Sequence, residues 1–304
     1  MSTILLNAFG LFLIILVGFF LKKGGLVSKS DGKVLSNIIV TITLPATVIV
    51  GMNTMNITAD FILLATIAVA MNLILVFTAK FLWRKDSYLD RVFFMYCISG
   101  YNVGNFTLPF IQSFYPLALP YLFMFDVGNC IMIAGGSKII VESSHPDFDK
   151  KQATQLLSQA LLRSIPFMTY LIMVILRFFS ISLPAFSIDI FKLFSSANGF
   201  LSLLMIGIYL ELHLPKTAMI KVLKILSWRY AFGALFAILF YFVLPFDNPL
   251  VKIVLTVLAF APIPTFAVIN SVAAGVKEEV TGFISSVSIL LSLAIMTIVM
   301  ILIT

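Results

Sequence analysis

Ten apolar runs follow one another along this chain, each close to the roughly 20 residues that a helix needs to cross about 30 Å of hydrocarbon. They fall at residues 3–21, 34–54, 58–82, 91–114 and 117–140, then at 165–183, 187–210, 222–244, 250–270 and 279–303. A bilayer offers no water to backbone polar groups, so a spanning chain must bond them internally, in helices or in a closed barrel. Runs this long predict helices. The chain is 61% hydrophobic and 11% charged, against about 45–50% and about 25% in soluble domains. The expected class is an all-α polytopic membrane protein with ten transmembrane helices. The connections leave no room for a soluble domain. The first run reads as a retained span and not a signal peptide, because Lys22 and Lys23 follow its apolar stretch.

Positive charge sets orientation. With both termini outside, each of the 20 Lys and Arg residues except Arg177, Lys192 and Lys252 falls in or beside an inner connection. This predicts a multi-pass protein of the cell membrane with both ends outside. The same placement accounts for the net charge of +7. A nucleic-acid footprint would cluster on one soluble face, so nucleic acid is not an expected partner. Cys97 and Cys130 lie in apolar stretches and read as packing residues, not as a disulfide or zinc framework. The chain carries no phosphate-binding loop, nucleophile elbow, dinucleotide fingerprint or His-Glu-x-x-His motif. Neither an enzyme nor a cofactor or metal protein is expected.

The polar interlude "ESSHPDFDKKQATQ", residues 142–155, stands near the midpoint. It divides the chain into a first five-helix repeat (1–141), a cytoplasmic linker with an interfacial helix (142–164) and a second five-helix repeat (165–304). With an odd number of spans each, related halves would enter the membrane in opposite senses, as inverted repeats do in secondary transporters. Helix breakers fall at matching places. Span four carries "SGYNVGNFTLPFIQSFYP" (99–116) and span nine carries "AFAPIPTFAVIN" (259–270). Proline has no N–H and clashes with the carbonyl four residues back. Half-helices are therefore expected to begin near Pro109 and Pro264, freeing the carbonyls of Asn105, Leu258 and Phe260. Each such start presents unpaired N–H groups and the positive end of a dipole, which suits a carboxylate. The candidate substrate-binding residues are Asn102, Asn105, Thr107, Pro109, Pro262, Pro264, Thr265 and Asn270. Gly100 and Gly104 read as small residues that let another helix approach.

Asp126, in "FDVGNC" of span five, is a costly residue to place inside a membrane. With Asn129 it is a candidate for proton or ion coupling; the alternative is a structural carboxylate that accepts hydrogen bonds. No lysine or arginine is expected at similar depth, so the predicted core lacks a fixed cation. In span two, Asn37, Thr41, Thr43 and Thr47 either line a cavity or bond between helices. Glu211, Glu278 and Glu279 sit at span ends, and His145 and His213 in inner connections, with no role assigned.

Several stretches resemble one family. "ITLPATVIVGMN" in span two, "GYNVGNFTLPF" in span four and "FDVGN" in span five are similar to the auxin efflux carrier family. So are "NGFLSLLMIGIYLEL" in span seven and "APIPTFAVINSVAAGVKEEVTGFISSVSILLSLAIMTI" at the end. That family includes bacterial malate and malonate permeases and plant PIN-type carriers. The resemblance implies two inverted five-span repeats with spans four and nine broken where they cross. This is the elevator architecture shared with sodium–bile acid symporters and sodium–proton antiporters. It also implies a small organic anion bound beside a crossing built from Asn102, Asn105, Pro109, Pro262, Pro264 and Asn270. Phe106 and Thr107 depart from the small, glycine-rich character usual after the span-four asparagines. The expected function is secondary active transport of small mono- or dicarboxylates by alternating access. A sodium-coupled symporter or a cation/proton antiporter on the same architecture is the alternative, using the freed carbonyls and Asp126. H+ or Na+ as coupling ion, and a homodimer, stay open.

Overall fold

The computed structural model describes residues 2–143, 149–213 and 218–303; His145, Lys216 and the centre of the polar connection lie outside them. Among the described residues every regular element is a helix. The first half holds α1 (Ser2–Lys23), α2 (Lys29–Met52), α3 (Ala59–Leu82), α4 (Tyr88–Ile98), α5 (Leu108–Phe114) and α6 (Pro116–Glu142). The second holds α7 (Lys150–Arg163), α8 (Ile165–Phe178), α9 (Ala185–Tyr209), α10 (Met219–Val243), α11 (Pro249–Leu258), α12 (Thr265–Ala273) and α13 (Glu278–Ile303).

Among the described residues seven helices, α1, α2, α3, α6, α9, α10 and α13, are long and apolar enough to cross a membrane. The count is eight if α7 and α8, bent by 77° at Ser164, make one crossing. It stays below ten because the segments expected as spans four and nine are not continuous. Each is a pair of short helices around an extended break, α4 and α5 about residues 99–102, α11 and α12 about residues 259–264.

Helix packing sorts these elements into two bundles. In one, α1 lies along the second half of α9, α2 packs on α9, and α8 packs on α2. Small residues make the first of these contacts: a Cβ on Gly207 would come within 2.0 Å of the Ile15 carbonyl oxygen, so only glycine lets the backbones meet. In the other bundle α3 packs on α6 and α4, α12 on α4 and α13, and α10 on α4 and α11. In each half the chain passes once from the first bundle to the second.

Two Thr-Leu-Pro triplets show how the chain tolerates proline inside a helix. Before Pro45 and before Pro109 the helix widens into a π-turn, at Ile39–Thr43 and Val103–Thr107. The N–H of Leu44 then bonds the Ile39 carbonyl, and that of Leu108 the Val103 carbonyl. One extra residue in the turn moves the carbonyl four positions back away from the proline ring. Pro109 therefore does not begin a half-helix, as the sequence suggested. The break lies earlier, at Ser99–Asn102, and helical structure resumes at Val103.

Arg177 also departs from expectation. It is 9% exposed and not a loop charge. Its Nε donates to the Met55 carbonyl at 2.7 Å and its Nη1 to Ser182 Oγ at 2.7 Å, tying the turn after α8 to the end of α2.

Candidate functional site

The two breaks touch at Gly100 and Pro264. Gly100 has φ +80, and a Cβ there would come within 2.7 Å of Pro264 Cγ. Its role is thus a left-handed turn against a proline ring, not a helix-packing pair with Gly104, which instead faces Leu44.

Every backbone donor of the first break from Gly100 onward has a partner. Gly100 N–H donates to Asn72 Oδ1 at 2.6 Å, Tyr101 N–H to Asn129 Oδ1 at 3.2 Å, and Asn102 N–H to the Pro262 carbonyl at 3.0 Å. Asn129 Nδ2 donates back to the Tyr101 carbonyl at 2.9 Å. The Asn102 carbonyl accepts from the N–H and the hydroxyl of Thr107, both at 3.0 Å. Thr107 is thereby committed to the fold of the turn.

The second break needs fewer partners. Pro262 and Pro264 have no N–H, Ala261 N–H closes a turn onto the Leu258 carbonyl at 2.8 Å, and Ile263 N–H donates to Ser288 Oγ at 3.0 Å. The Leu258 carbonyl, expected free, is therefore occupied.

Arg229 serves the carbonyls of both breaks. Nη1 donates to Ile98 at 2.9 Å and Cys97 at 3.3 Å; Nη2 donates to Gly100 at 2.7 Å, Ala261 at 2.8 Å and Pro262 at 3.1 Å. The guanidinium carbon stands 5.3 Å from the Tyr101 ring centroid. Arg229 is 4% exposed. This overturns the expectation of a core without a fixed cation. Sequence reasoning counted Arg229 with an inner connection, whereas it lies ten residues beyond Met219 in α10, about 15 Å along the axis. That depth within an apolar run is the signal that could have found it, since a side chain so deep cannot reach the interface. Asn72, the only amide in α3, was missed in the same way.

A cavity of 540 Å³ lies between the bundles beside the crossing. Asn102 and Thr265 border it from the breaks; Lys29, Lys33 and Asn37 of α2 and Tyr209 of α9 border it opposite. Thr265 opens α12 directly after Pro264, so the positive end of that helix dipole meets the cavity. At the rim Glu278, also a lining residue, accepts from Lys29 Nζ at 2.7 Å. Glu211 sits 3.5 Å from Lys22 and 3.7 Å from Lys29. Among the described residues Lys33 has no such carboxylate partner. A second, water-sized void is bordered by Gly100, Pro264, Asn270 and Tyr96.

Asp126 is buried next to the crossing. Oδ1 accepts from Asn129 Nδ2 at 2.9 Å and Oδ2 from the Tyr170 hydroxyl at 2.9 Å. Its reach is from α6 to α8, and through Asn129 to Tyr101.

The predicted residues thus divide. Asn102 and Thr265 meet at the large cavity, Pro264 and Asn270 at the small void, and Pro262 gives its carbonyl to the crossing. Pro109 is buried against Gly199, and Asn105 Oδ1 is buried without a partner among the described residues. In span two the polar stripe splits: Asn37 lines the cavity, while Thr43 donates to Asn198 Oδ1 at 2.9 Å and Thr47 accepts from Ser195 at 3.1 Å.

No curated protein matches the chain closely enough to count as a relative. A family model described as membrane transport protein matches residues 3–304. The helices long and apolar enough to cross a membrane, the paired breaks and this end-to-end match agree, and the chain belongs to the membrane transport protein family of auxin efflux carriers.

Proposed function

We propose that this chain is a secondary active carrier of small organic anions, mono- or dicarboxylates such as malate, malonate or auxin-like acids, working by alternating access. The observation that carries this reading is the wall of the 540 Å³ cavity. It combines the start of α12 at Thr265 and the amide of Asn102 with the ammonium of Lys33. These are donors and positive charge, in a volume within the roughly 300–1,000 Å³ of small-molecule sites. In this reading α4 with α5 and α11 with α12 are spans four and nine, which completes ten crossings in two inverted five-helix repeats. The bundle that holds both breaks slides past the bundle of α1, α2, α8 and α9, carrying the anion with the crossing. Lysines 29 and 33 border the cavity, so by the positive-inside rule the cavity faces the cytoplasm and both termini are outside. Asp126 is read as a post that holds Asn129 and Tyr170, ahead of a proton carrier, because neutral donors engage both of its oxygens.

Uptake of labelled carboxylates into liposomes, with proton and sodium gradients imposed separately, tests the proposal. Saturable uptake is expected, competed by other carboxylates and not by neutral analogues. Lys33→Gln should raise KM on the order of fivefold at nearly unchanged maximal rate, as for a lost binding contact. Conductance without saturation, or equal uptake of neutral analogues, would overturn it.

A further inference from the structure

Five carbonyl oxygens converge on Arg229: those of Cys97 and Ile98 at the end of α4, of Gly100 in the first break, and of Ala261 and Pro262 in the second. Unwound backbone carbonyls at the midplane of a carrier are the ligands that ordinarily hold a hard coupling cation such as Na+. Here they surround a guanidinium instead. No carboxylate pairs with Arg229 among the described residues, so its charge is met by carbonyl oxygens and the face of Tyr101. A free cation placed on the same oxygens would sit against a like charge in a poorly solvated site, which opposes its binding.

We infer that Arg229 is the tethered cation of the crossing: it occupies a carbonyl cage that would otherwise hold an alkali ion, and so sets the approach of the two broken helices. Arg229 is a positioning residue, since it borders neither cavity. Removing its charge exposes a latent site for Na+ or for a small guanidinium. For the transport consequence alone, that organic-anion movement needs no bound Na+, the inference rests on the carrier reading above.

The test compares the purified full chain and three variants, Arg229→Lys, Arg229→Met and Arg229→Ala, in sodium, potassium and choline chloride at equal ionic strength. Thermal unfolding is the first readout, because an ion that binds only the folded state raises its midpoint. The native chain is expected to melt alike in all three salts. In Arg229→Ala, Na+ or low methylguanidinium should raise the midpoint by ~5 °C over choline. Arg229→Lys should retain more uptake than Arg229→Met, which keeps the length and loses the charge. A native chain stabilised by Na+ over K+ and choline, or Met as good as Arg with no ion response in any variant, would overturn the inference. If no variant folds, the salt response of the native chain decides. Melting does not require transport: absent uptake with the expected salt responses would sink the carrier reading and leave the cage.

Discussion

The two breaks meet the same requirement by opposite means. A chain that stops being helical inside a membrane must find a partner for each backbone donor and acceptor it releases. The second break removes the donors: two of its six residues are prolines, and one serine, Ser288, suffices for Ile263. The first break keeps its donors and recruits side chains, Asn72 and Asn129, from α3 and α6. What the two breaks share is Arg229, which holds the Gly100 carbonyl of the first and the Ala261 and Pro262 carbonyls of the second. The difference teaches where each break is fragile. The first depends on distant amides, and the second is built largely into its own covalent structure.

The largest effect expected from this contrast is at Asn129. Asn129→Leu keeps the branched outline of the side chain and removes the acceptor of Tyr101 N–H, the donor to the Tyr101 carbonyl and the donor to Asp126. Stranding buried backbone groups costs about 1–3 kcal/mol each, so a loss of about 3–5 kcal/mol is expected. Thermal unfolding in detergent should show it, with uptake abolished. A variant that melts like the native chain would break the contrast, because the first break would then hold without its amides.

Gly100→Ala comes next. At φ +80 an L-residue is strained by about 1–2 kcal/mol, and the new Cβ would press on the Pro264 ring at 2.7 Å. That ring is part of the backbone and cannot swing aside. A total of about 2–4 kcal/mol is expected. The double variant with Pro264→Ala should recover the steric part and not the strain. Full recovery would mean that the ring contact alone requires glycine, and no recovery that the turn alone does.

How much of this could be seen beforehand depended on how local each cause is. Prolines at 262 and 264 mark their own break, because their effect on φ and on the N–H is carried by the residue itself. The sequence points to Pro109 for the first break, whereas a π-turn absorbs that proline and the chain departs from the helix at Ser99–Asn102. The groups that stabilise the departure are remote in sequence: Asn72 bonds a residue 28 positions away and Arg229 one 129 positions away. Helix periodicity and charge bias could supply the spans, yet they treated Arg229 as one more flanking cation. The cavity was half visible. Asn102 and Thr265 followed from the breaks, but Lys29 and Lys33 come from a helix of the other bundle and were read only as topology signals.

The smallest effect is expected at Ser288, and it decides whether the second break is as self-sufficient as its prolines suggest. Ser288 Oγ accepts the N–H of Ile263 at 3.0 Å, and its hydroxyl donates to the Ser285 carbonyl within its own helix. Ser288→Ala strands one buried donor, a cost of about 1–2 kcal/mol, with the Arg229 bonds to Ala261 and Pro262 intact. Because those carbonyls and the Asn102 N–H still hold residues 261 and 262, the loss should stay local. Hydrogen exchange should rise at Ile263 and little at Gly100 or Tyr101, while the melting midpoint falls by a few degrees. Faster exchange on both breaks together would show one cooperative unit, with stability held jointly through Arg229 and not separately by amides and prolines.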